Sequence, residues 1–555
     1  MRPFLLLFLL LFYLSLTVQA QSPQLDWVRS ADGGGTSTAR SVAVDKEGNV
    51  YVAGEFIEEL TLGPFKLVGR PRLSTGLPLD RNMFVAKYDP AGNIVWAHGN
   101  QRSDPSSPYG SSMQSFGIAL DQQGNCYVAG YTYNEVLFAG YPMGLPSNSD
   151  LFVMKLAPNG EVQWITEKIE SLNYGKDVNL QVDAAGNSYI VGVPLWMVGT
   201  YLMKLDPAGK LQWKKGYANA VAARVSLDEK QGNLYVAGKL VAATLIDGIS
   251  LTSAGASDVF VGKLDLNGNA QWVKRLGGTA PDSATGIAAD GLGGVYVSGV
   301  FQGSMVNSGV ALQSKGSSDG VVLKLKQDGQ VEWAKALGGS TADRASHLTL
   351  SNTGRLFVTG MFTGQTTFQN KTYTAPAPTG TVYVAELGKT GAEKSFFTLA
   401  GSGVQQSNSL SAGHRNEVAF AGSLLGPVLF GGQAVETSKE QLFVARLSIP
   451  ETPETPEVPE EPELPPAPLT VKVPNIITPN GDQKNDAFEV QVAGAPGSSI
   501  GLTVYNRHGK QVYSHANYQN NWAGEGLSES TYFYLVQVKA GDQVNSYKGW
   551  VEIVR

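Results

Sequence analysis

Cysteine is nearly absent from this sequence of 555 residues, and charged residues are sparse. Cys126 is the single cysteine, so no disulfide can form within the chain. It occupies the same place in an apolar segment as Val50 and Ser188 do in similar segments, which favours a buried structural thiol over a nucleophile. Charged residues make up 16% of the chain and hydrophobic residues 42%, with 65 glycines. These proportions are typical of a large, turn-rich β protein.

Residue patterns that mark common enzymes and nucleic-acid-binding proteins are also lacking. The five histidines form no HExxH pair, and no nucleophile-elbow, Walker or dinucleotide-binding motif stands in a suitable context. The net charge is −6, and six glutamates fall within residues 450–468, so the rest of the chain is neutral overall and has no basic stripe. The sequence therefore predicts no catalytic residue, no metal ligand, no cofactor and no nucleic-acid partner.

Long apolar runs are confined to the N-terminus. Met1-Arg2 precedes an apolar run from Phe4 to Leu16, and Ala20 ends a segment of small and polar residues. This pattern predicts a secretory signal peptide over residues 1–20, because the run is too short to span a membrane. No cysteine stands directly after the expected cleavage site, so we expect no lipoprotein anchor. No other apolar run is long enough to span a membrane, so we expect no transmembrane segment after cleavage.

What the chain does contain is a repeat. The segment 45–54, DKEGNVYVAG, recurs in recognisable form about every 60 residues, a spacing typical of repeat architectures. Its Gly-Asn pair suits a tight turn, and the apolar run that follows suits a strand that is covered on both faces. The seven copies end at Gly54, Gly130, Gly192, Gly238, Gly299, Gly360 and Gly422.

The content of each repeat predicts a propeller blade of about four strands. A second recurring segment, for example FVAKYDPAGNIVW at 84–96, predicts a hairpin around an Asp-Pro-x-Gly-like turn. Its last copy, 443–447, has no Trp strand after it, whereas the strand 25–28 with Trp27 stands alone at the start. We therefore predict an all-β fold in which residues 21–449 form a seven-bladed β-propeller closed by its N-terminal strand.

Two further segments follow the repeats. Residues 450–468 are rich in proline and glutamate, which predicts an extended, semi-rigid linker. Residues 469–555 predict a small β-sandwich. Its expected strands are 487–492, 501–506, 510–514, 531–539 and 547–554.

Residues 25–449 resemble the bacterial β-propeller repeat family. The family pattern D-x-x-GN-x-YV-x-G, followed by F-V-x-K-L and a later Trp, is matched by segments 45–54 and 84–96, and the Leu-Gly-Gly segments 276–278 and 337–339 fit it too. This resemblance implies a fold and is almost silent on activity.

Residues 473–555 resemble the gliding-motility-associated C-terminal domain, the type B sorting domain of type IX secretion. His508 stands where that family usually has Trp, Ala523 where it often has Asp, and Ser530 where it often has Gly. The resemblance implies an Ig-like fold, the type IX machinery as a partner, and export across the outer membrane of a Gram-negative bacterium. The motif residues that carry it are Pro479, Asn480, Gly481, Asp482, Asn485, Asp486, Asn506, Arg507, Gly509, Trp522, Gly524, Tyr532, Lys548 and Gly549.

Three features have competing interpretations. The Asp that heads the repeats, such as Asp45, is either a calcium ligand or a cap for its own turn, and its replacement by Ser351 and Gly413 in late copies favours the cap. The oxygen-rich stretch 480–486 is either a calcium site or a structured turn, and it lacks the ligand spacing of an EF-hand. The recurring tryptophans are interpreted as packing residues between blades rather than as a binding stripe.

Loop length gives a pointer to a ligand site. Residues 57–82 and 98–113 are the largest insertions, and loops on rigid scaffolds often carry function. The alternative is that these loops are tolerated surface excursions. The candidate ligand-binding residues are Arg70, Arg72, Arg81, Arg102 and Tyr109.

Three functional hypotheses follow. The first is a secreted or cell-surface, non-enzymatic binding or adhesion protein, exported by type IX secretion, whose ligand is a glycan or another protein outside the cell. The second is a secreted hydrolase or lyase with its site on one propeller face, since such sites are assembled from several blades and leave no local motif. The third is a structural component of gliding motility or of the envelope.

Overall fold

The chain is all-β throughout the residues that the computed structural model describes. These are residues 22–32, 34–69, 81–102, 112–144, 149–166, 169, 176–194, 198–307, 310–376, 378–414, 416–450, 470–493, 498–540 and 543–555. Over these ranges no helix is long and apolar enough to cross a membrane. Two compact units are present, divided between residues 452 and 453. The predicted signal peptide and residues 451–468 of the predicted linker lie outside the described residues.

Among its described residues, the first unit contains seven antiparallel sheets of four or more strands, which we number one to seven, besides four two-stranded hairpins. Four strands are paired in the same order in every sheet, and sheet one is extended to six strands by the hairpin of residues 136–143. The first strands are Ser37–Val44, Ser112–Leu120, Lys176–Val182, Ala220–Asp228, Ser283–Ala289, Arg344–Leu350 and Val404–Ala412. The second strands are Val50–Phe56, Cys126–Tyr133, Ser188–Val193, Asn233–Leu240, Val295–Phe301, Leu356–Phe362 and Glu417–Phe430. The third strands are Asn82–Tyr88, Ser149–Leu156, Gly199–Leu205, Asp258–Asp265, Asp319–Leu325, Thr381–Leu387 and Gln433–Ser448. The fourth strands are Ile94–Arg102, Val162–Thr166, Leu211–Ala218, Ala270–Leu276, Val331–Leu337, Glu393–Thr398 and, for sheet seven, Gln24–Ser30.

Burial explains why the repeat motif is continuously apolar. Val50–Phe56 and Asn82–Tyr88 are buried at every position, whereas the fourth strand Leu211–Ala218 is exposed at alternate positions. The middle strands of each sheet are therefore covered on both faces by neighbouring sheets, which removes the inside–outside alternation of a one-sided sheet. The expected two-sided burial is confirmed for these strands.

Neighbouring sheets meet through their first strands. These strands contact one another in chain order, and the first strand of sheet seven also contacts that of sheet one. The strand Gln24–Ser30 pairs antiparallel with the third strand of sheet seven, with Val28 opposite Ala445 and Arg29 opposite Val444. The start of the described chain thus supplies the fourth strand of the sheet that ends the unit.

The motif aspartates cap their own turns. Asp45 Oδ1 accepts hydrogen bonds from the backbone N–H groups of Glu47 and Asn49 at 3.1 and 2.8 Å, and Asp45 Oδ2 accepts one from the Asn49 side chain at 2.7 Å. Asp121 and Asp183 repeat the arrangement. The capping interpretation is confirmed, because the carboxylate oxygens satisfy the turn's own donors.

A tyrosine and a lysine complete the buried part of the motif in the first five sheets. The Lys87 ammonium lies 4.8 Å from the ring centre of Tyr51, which is fully buried, and 4.0 Å from the Asp45 carboxylate. The same trio recurs as Lys155, Tyr127 and Asp121. The lysine charge is thus held between a carboxylate and an aromatic face, which favours burial of its stem.

The recurring tryptophans join one sheet to the next. Trp96 Nε1 donates to the Pro158 carbonyl of the next Asp-Pro-x-Gly-like turn at 3.0 Å, and Trp27 Nε1 donates to the Pro90 carbonyl at 3.1 Å. A glycine of the turn lies against the ring, and a Cβ added at Gly92 would come within 2.6 Å of Trp27. The packing interpretation of the tryptophans is confirmed by these contacts.

Part of the predicted insertion at 57–82 is a regular hairpin. Glu59–Leu62 pairs with Phe65–Val68, and similar hairpins leave the end of the second strand in later repeats. The distinctive length of this loop therefore resides in residues 70–80, which lie outside the described residues. The later hairpins are Val136–Phe138 with Tyr141–Met143, Thr244–Ile246 with Ile249–Leu251, Ser304–Asn307 with Val310–Gln313, and Gln365–Phe368 with Lys371–Thr374.

The second unit contains one five-stranded sheet and one two-stranded sheet. The segment predicted as strand 487–492 forms a strand only at Gln491–Ala493, paired with Thr470–Lys472. The N–H of Phe488 donates instead to the Trp522 carbonyl, and that of Val490 donates to the Asn520 side chain. The five-stranded sheet has the order Ile476–Ile477, Gln543–Ile553, Ser530–Ala540, Ser499–Tyr505 and Gln511–His515.

Candidate functional site

All seven first strands carry a β-bulge at a similar level. In sheet one the register shifts between Ala39 and Ser41, so Arg40 has no partner residue on the adjacent strand. A bulge re-aims a side chain and sharpens the local twist. The corresponding unpaired residues are Phe116, Asp177, Ala223, Thr285, Ser346 and Asn408.

Short polar side chains next to the bulges link neighbouring first strands. Ser41 Oγ accepts a hydrogen bond from the backbone N–H of Ile118 at 3.2 Å, and Ser409 Oγ accepts one from that of Val42 at 3.1 Å. Backbone N–H groups on the open edges of the first strands of sheets one, two, four and five are thereby satisfied without a continuous ladder between sheets. Further links of this kind are Asn179 with Val225, Ser226 with Ala289 and Ser411 with Val44.

Residues from the first strands of all seven sheets line one common space, which we call the channel. A cavity of about 310 Å³ lies within it and is lined by residues from every first strand. The wall mixes hydroxyl, amide, cationic and aliphatic groups. One lining residue from each sheet in turn is Ser41, Ile118, Asn179, Arg224, Ile287, His347 and Ser409.

A second cavity, which we call the basic cavity, lies at the end of the channel where the first strands begin. Its volume is about 350 Å³, and its cationic lining residues are Arg224, Lys239 and Arg344. Among the described residues that line it there is no carboxylate. The neutral polar residues are Ser283, Thr285, Ser346, Gln406, Ser407 and Asn408, and Val221 and Ala284 complete the lining.

Arg344 is held in a poorly solvated position. Burial lowers the pKa of its guanidinium, which nonetheless stays charged at neutral pH. Within the described part of the chain, Arg344 Nε has no hydrogen-bond partner. A buried N–H group without a partner is unfavourable, and a hydrogen-bond acceptor placed there would stabilise the protein.

His347 lines the channel next to the basic cavity. Burial, together with the positive charge of Arg224, lowers the pKa of His347 to about 3. The imidazole is therefore neutral at physiological pH. A histidine with this pKa is a weak base and has no proton to donate near pH 7.

The predicted loop residues fall in different places. Arg81 forms an ion pair with Glu55, which also pairs with Arg40, and the Glu55 side chain is only 4% exposed. Arg102 ends the fourth strand of sheet one, opposite Val136. Arg70, Arg72 and Tyr109 lie outside the described residues. Of the five candidates, the structure thus shows the side-chain contacts of Arg81 alone.

The basic cavity was not predicted from the sequence. Its cations stand singly on different strands, so no local motif marks them. The sequence does contain one indication of this cavity. Lys239 directly follows the closing glycine of its repeat, and most repeats have an uncharged residue at that position. Glu55 is at the same position in the first repeat, so this position carries a charge in two sheets on the channel's rim.

In the second unit, the stretch 480–486 is a structured turn. Asp486 Oδ1 accepts hydrogen bonds from the backbone N–H groups of Asn480 and Gly481, and Asp486 Oδ2 accepts one from Gln483, at 2.7–3.0 Å. These bonds lower the pKa of the Asp486 carboxyl. Asp482 caps Lys484 N at 2.8 Å. The carboxylates therefore serve the turn itself, and Asn485 and Gln483 adopt the left-handed backbone that it needs.

The remaining motif residues of the second unit divide into core and surface. Trp522 and Tyr532 are buried, and a Cβ at Gly524 would lie 2.5 Å from Ile553. A Cβ at Gly549 would lie 2.4 Å from the Tyr534 hydroxyl. Asn506 caps a turn that exposes Arg507 and contains Gly509, Lys548 is exposed, and Pro479 precedes the 480–486 turn.

Two families match parts of this chain. Residues 28–55 and 271–300 match the family described as beta-propeller repeat, so the first unit carries β-propeller repeats. Residues 471–553 match the type IX secretion signal domain. The chain thus carries β-propeller repeats and a type IX secretion signal domain, as the sequence motifs predicted.

Similarity to individual proteins is low. An uncharacterized WD repeat-containing protein of Acanthamoeba polyphaga mimivirus is 27% identical over 135 residues, which is 22% of this chain and 10% of that protein's length. A protein of unknown function from Bacteroides caccae has a similar structure with a TM-score of 0.27 and 13% identity, covering 54% of this chain and 81% of that one. A prolyl endopeptidase gives a TM-score of 0.37 and 10% identity, covering 91% and 55%. These likenesses do not bear on activity.

The signal domain defines where the protein acts. It indicates export through the type IX machinery, with which the domain interacts, and a secreted or cell-surface location in a Bacteroidetes-type bacterium.

Proposed function

We propose that residues 21–449 form a seven-bladed β-propeller closed by the strand Gln24–Ser30. Three contacts between sheet seven and sheet one support this closure, and each has a counterpart between other neighbouring sheets. Ser409 accepts the Val42 N–H as Ser41 accepts that of Ile118. Trp27 binds the Pro90 carbonyl as Trp96 binds that of Pro158, and Asp32 bridges to Thr61 as Gly339 does to Thr366.

We further propose that the protein is a non-enzymatic binding protein displayed outside the cell, with its ligand site in the channel. The observation that carries this proposal is the basic cavity, where three cations and several hydroxyl and amide groups converge. Such groups bind and orient a ligand through hydrogen bonds. The pKa of His347, about 3, lies far from neutral pH, whereas an acid–base catalyst works best with a pKa near the operating pH.

The experiment that tests this function uses the purified full chain on a glycan array and in pull-downs from the cell surface and its surroundings. We expect retention of a glycan or of another surface protein, with recovery of the ligand unchanged. A chain that retains nothing in either assay would contradict the binding function. A ligand that is cleaved, with turnover, would favour the alternative of a hydrolase or lyase.

The alternative has one structural observation in its favour. Asp258 and Asp282 lie together beside Gly277, and burial, with a further contribution from the Asp258 charge, raises the pKa of Asp282 to about 6. Both carboxylates are almost fully buried, however, and they accept hydrogen bonds from the backbone N–H groups of Ala254, Gly278 and Gln302. This pattern favours anchoring of loops over contact with a substrate.

A further inference from the structure

We propose that the basic cavity binds the anionic group of a small, hydroxyl-rich acid, of which a uronic acid is the simplest example, with Arg344 as the principal ligand. The proposal rests on the proposed binding function and specifies its ligand chemistry. It concerns residues of sheets four, five, six and seven, which meet at this end of the channel.

Arg344 supplies the strongest reason for an anion. Its guanidinium is largely removed from water, and Nε lacks a partner within the described residues. A carboxylate placed against the guanidinium would replace the lost hydration with charge-assisted hydrogen bonds, for which the planar donor fork is well shaped. The site is thus prepared for an anion before any ligand arrives.

Lys239 and Arg224 add positive charge around the same volume. Lys239 is exposed at the rim and has no ion pair in the described part of the chain, whereas Arg224 lies deeper and lines both cavities. The buried carboxylate at the corresponding position of sheet one, Glu55, is already paired with Arg40 and Arg81. The charge of Glu55 is therefore neutralised locally.

The uncharged polar side chains that line the basic cavity indicate which groups the ligand contains besides its anionic group. Ser283, Ser346, Gln406 and Asn408 present hydroxyl and amide groups to the cavity. Such groups hydrogen-bond to hydroxyls as both donors and acceptors. A volume of about 350 Å³ is at the lower end for ligand pockets, so the bound part is about the size of a sugar unit.

The test is calorimetric titration of the full chain with galacturonate, glucuronate, inorganic phosphate, sulfate and neutral galactose. We expect saturable binding of a uronate, weaker by about tenfold or more for galactose. Arg344→Gln should raise the Kd by about tenfold or more, and Lys239→Gln, which alters an exposed side chain and preserves folding, by a few fold. Lys230→Gln, an exposed lysine on the same sheet far from the cavity, should leave the Kd unchanged.

Other outcomes would overturn the inference in defined ways. If phosphate and sulfate bind as tightly as the uronates, the cavity binds anions but does not recognise the saccharide. The proposed anion site is contradicted if no anion binds at about 10 mM. It is equally contradicted if the Kd is unchanged in Lys239→Gln and in folded Arg344→Gln. If the arrays then still showed a ligand, the binding function would stand with its site elsewhere.

Discussion

At the scale of single residues, the contact between a turn glycine and a tryptophan of the preceding sheet sets how closely two sheets approach. Gly329 has a φ of +80° and lies against the Trp272 ring. Two requirements therefore coincide at this residue: a left-handed backbone, which disfavours any side chain, and space for only a hydrogen atom. A glycine with the first requirement alone is available for comparison at Gly248, which has open space around it.

We expect Gly329→Ala to destabilise the first unit by about 2–3 kcal/mol, because it adds both backbone strain and a clash with the indole 3.0 Å away. Gly248→Ala should cost only about 1 kcal/mol, the strain of a left-handed alanine without the clash. Chemical denaturation of both variants measures the difference. Equal losses of unfolding free energy in the two variants would show that the tryptophan contact does not contribute to stability.

His347 predicts a pH dependence of stability. Its pKa in the folded protein is about 3, below its ordinary value of 6.5, so the unfolded chain binds the proton more readily. Its stabilising contribution is therefore complete above pH 6.5 and is lost as the pH falls toward 3. The loss should reach up to about 2 kcal/mol at about pH 5.

His347→Gln should accordingly show a smaller fall in Tm between about pH 7.5 and about pH 5 than the unaltered chain. His414→Gln, at an exposed turn position of sheet seven, is the matched control and should keep the normal fall. The prediction is wrong if both variants lose stability with acid as the unaltered chain does.

At the scale of elements, the strand Gln24–Ser30 has the greatest effect on the stability of the first unit. It covers the outer edge of Gln433–Ser448, buries Trp27 and Val28, and places Trp27 against the turn between the third and fourth strands of sheet one. Sheets in such an array depend on their neighbours for a core, so one missing strand weakens two sheets.

Deletion of residues 21–30 should lower the Tm of the first unit and promote aggregation, because the edge of Gln433–Ser448 would be open to pairing with other chains. Differential scanning calorimetry and light scattering measure the two effects. Gln24→Ala, an exposed change within an intact strand, is the control and should behave as the unaltered chain. An unchanged Tm on deletion would argue against closure by this strand.

At the scale of the whole molecule, export and display are carried by separate compact units. The second unit has its own core around Phe488, Trp522 and Tyr532, and it matches the type IX secretion signal domain. The first unit contains the channel and the basic cavity. We therefore expect that truncation separates export from the proposed ligand binding.

A chain that ends at residue 468 should fold and remain in the periplasm, because the signal for the outer-membrane step has been removed. Cell fractionation locates the truncated chain, and resistance to protease shows that its first unit is folded. The full chain expressed in parallel is the control and should appear outside the cell. Normal appearance of the truncated chain in the medium would contradict the sorting role of residues 469–555.

Much of this architecture follows from local sequence. The Asp-x-x-Gly-Asn turns, the apolar strands behind them and the Trp strands each depend on residues close together in the chain, so the repeat and its strand content were predictable. The signal domain was recognisable from the turn 480–486 and the residues around Trp522. The hairpin at 59–68 was hidden within an apparent insertion, because its strands are short and its turn lacks the repeat motif.

The basic cavity was decided by tertiary structure alone. Arg224, Lys239 and Arg344 belong to different strands of two sheets that are not adjacent, and nothing in their local surroundings distinguishes them from surface cations. Turns and strand periodicity are short-range effects, which the sequence determines directly. A shared cavity is a long-range effect of how seven sheets pack around one channel, and only that packing brings these charges to the same volume.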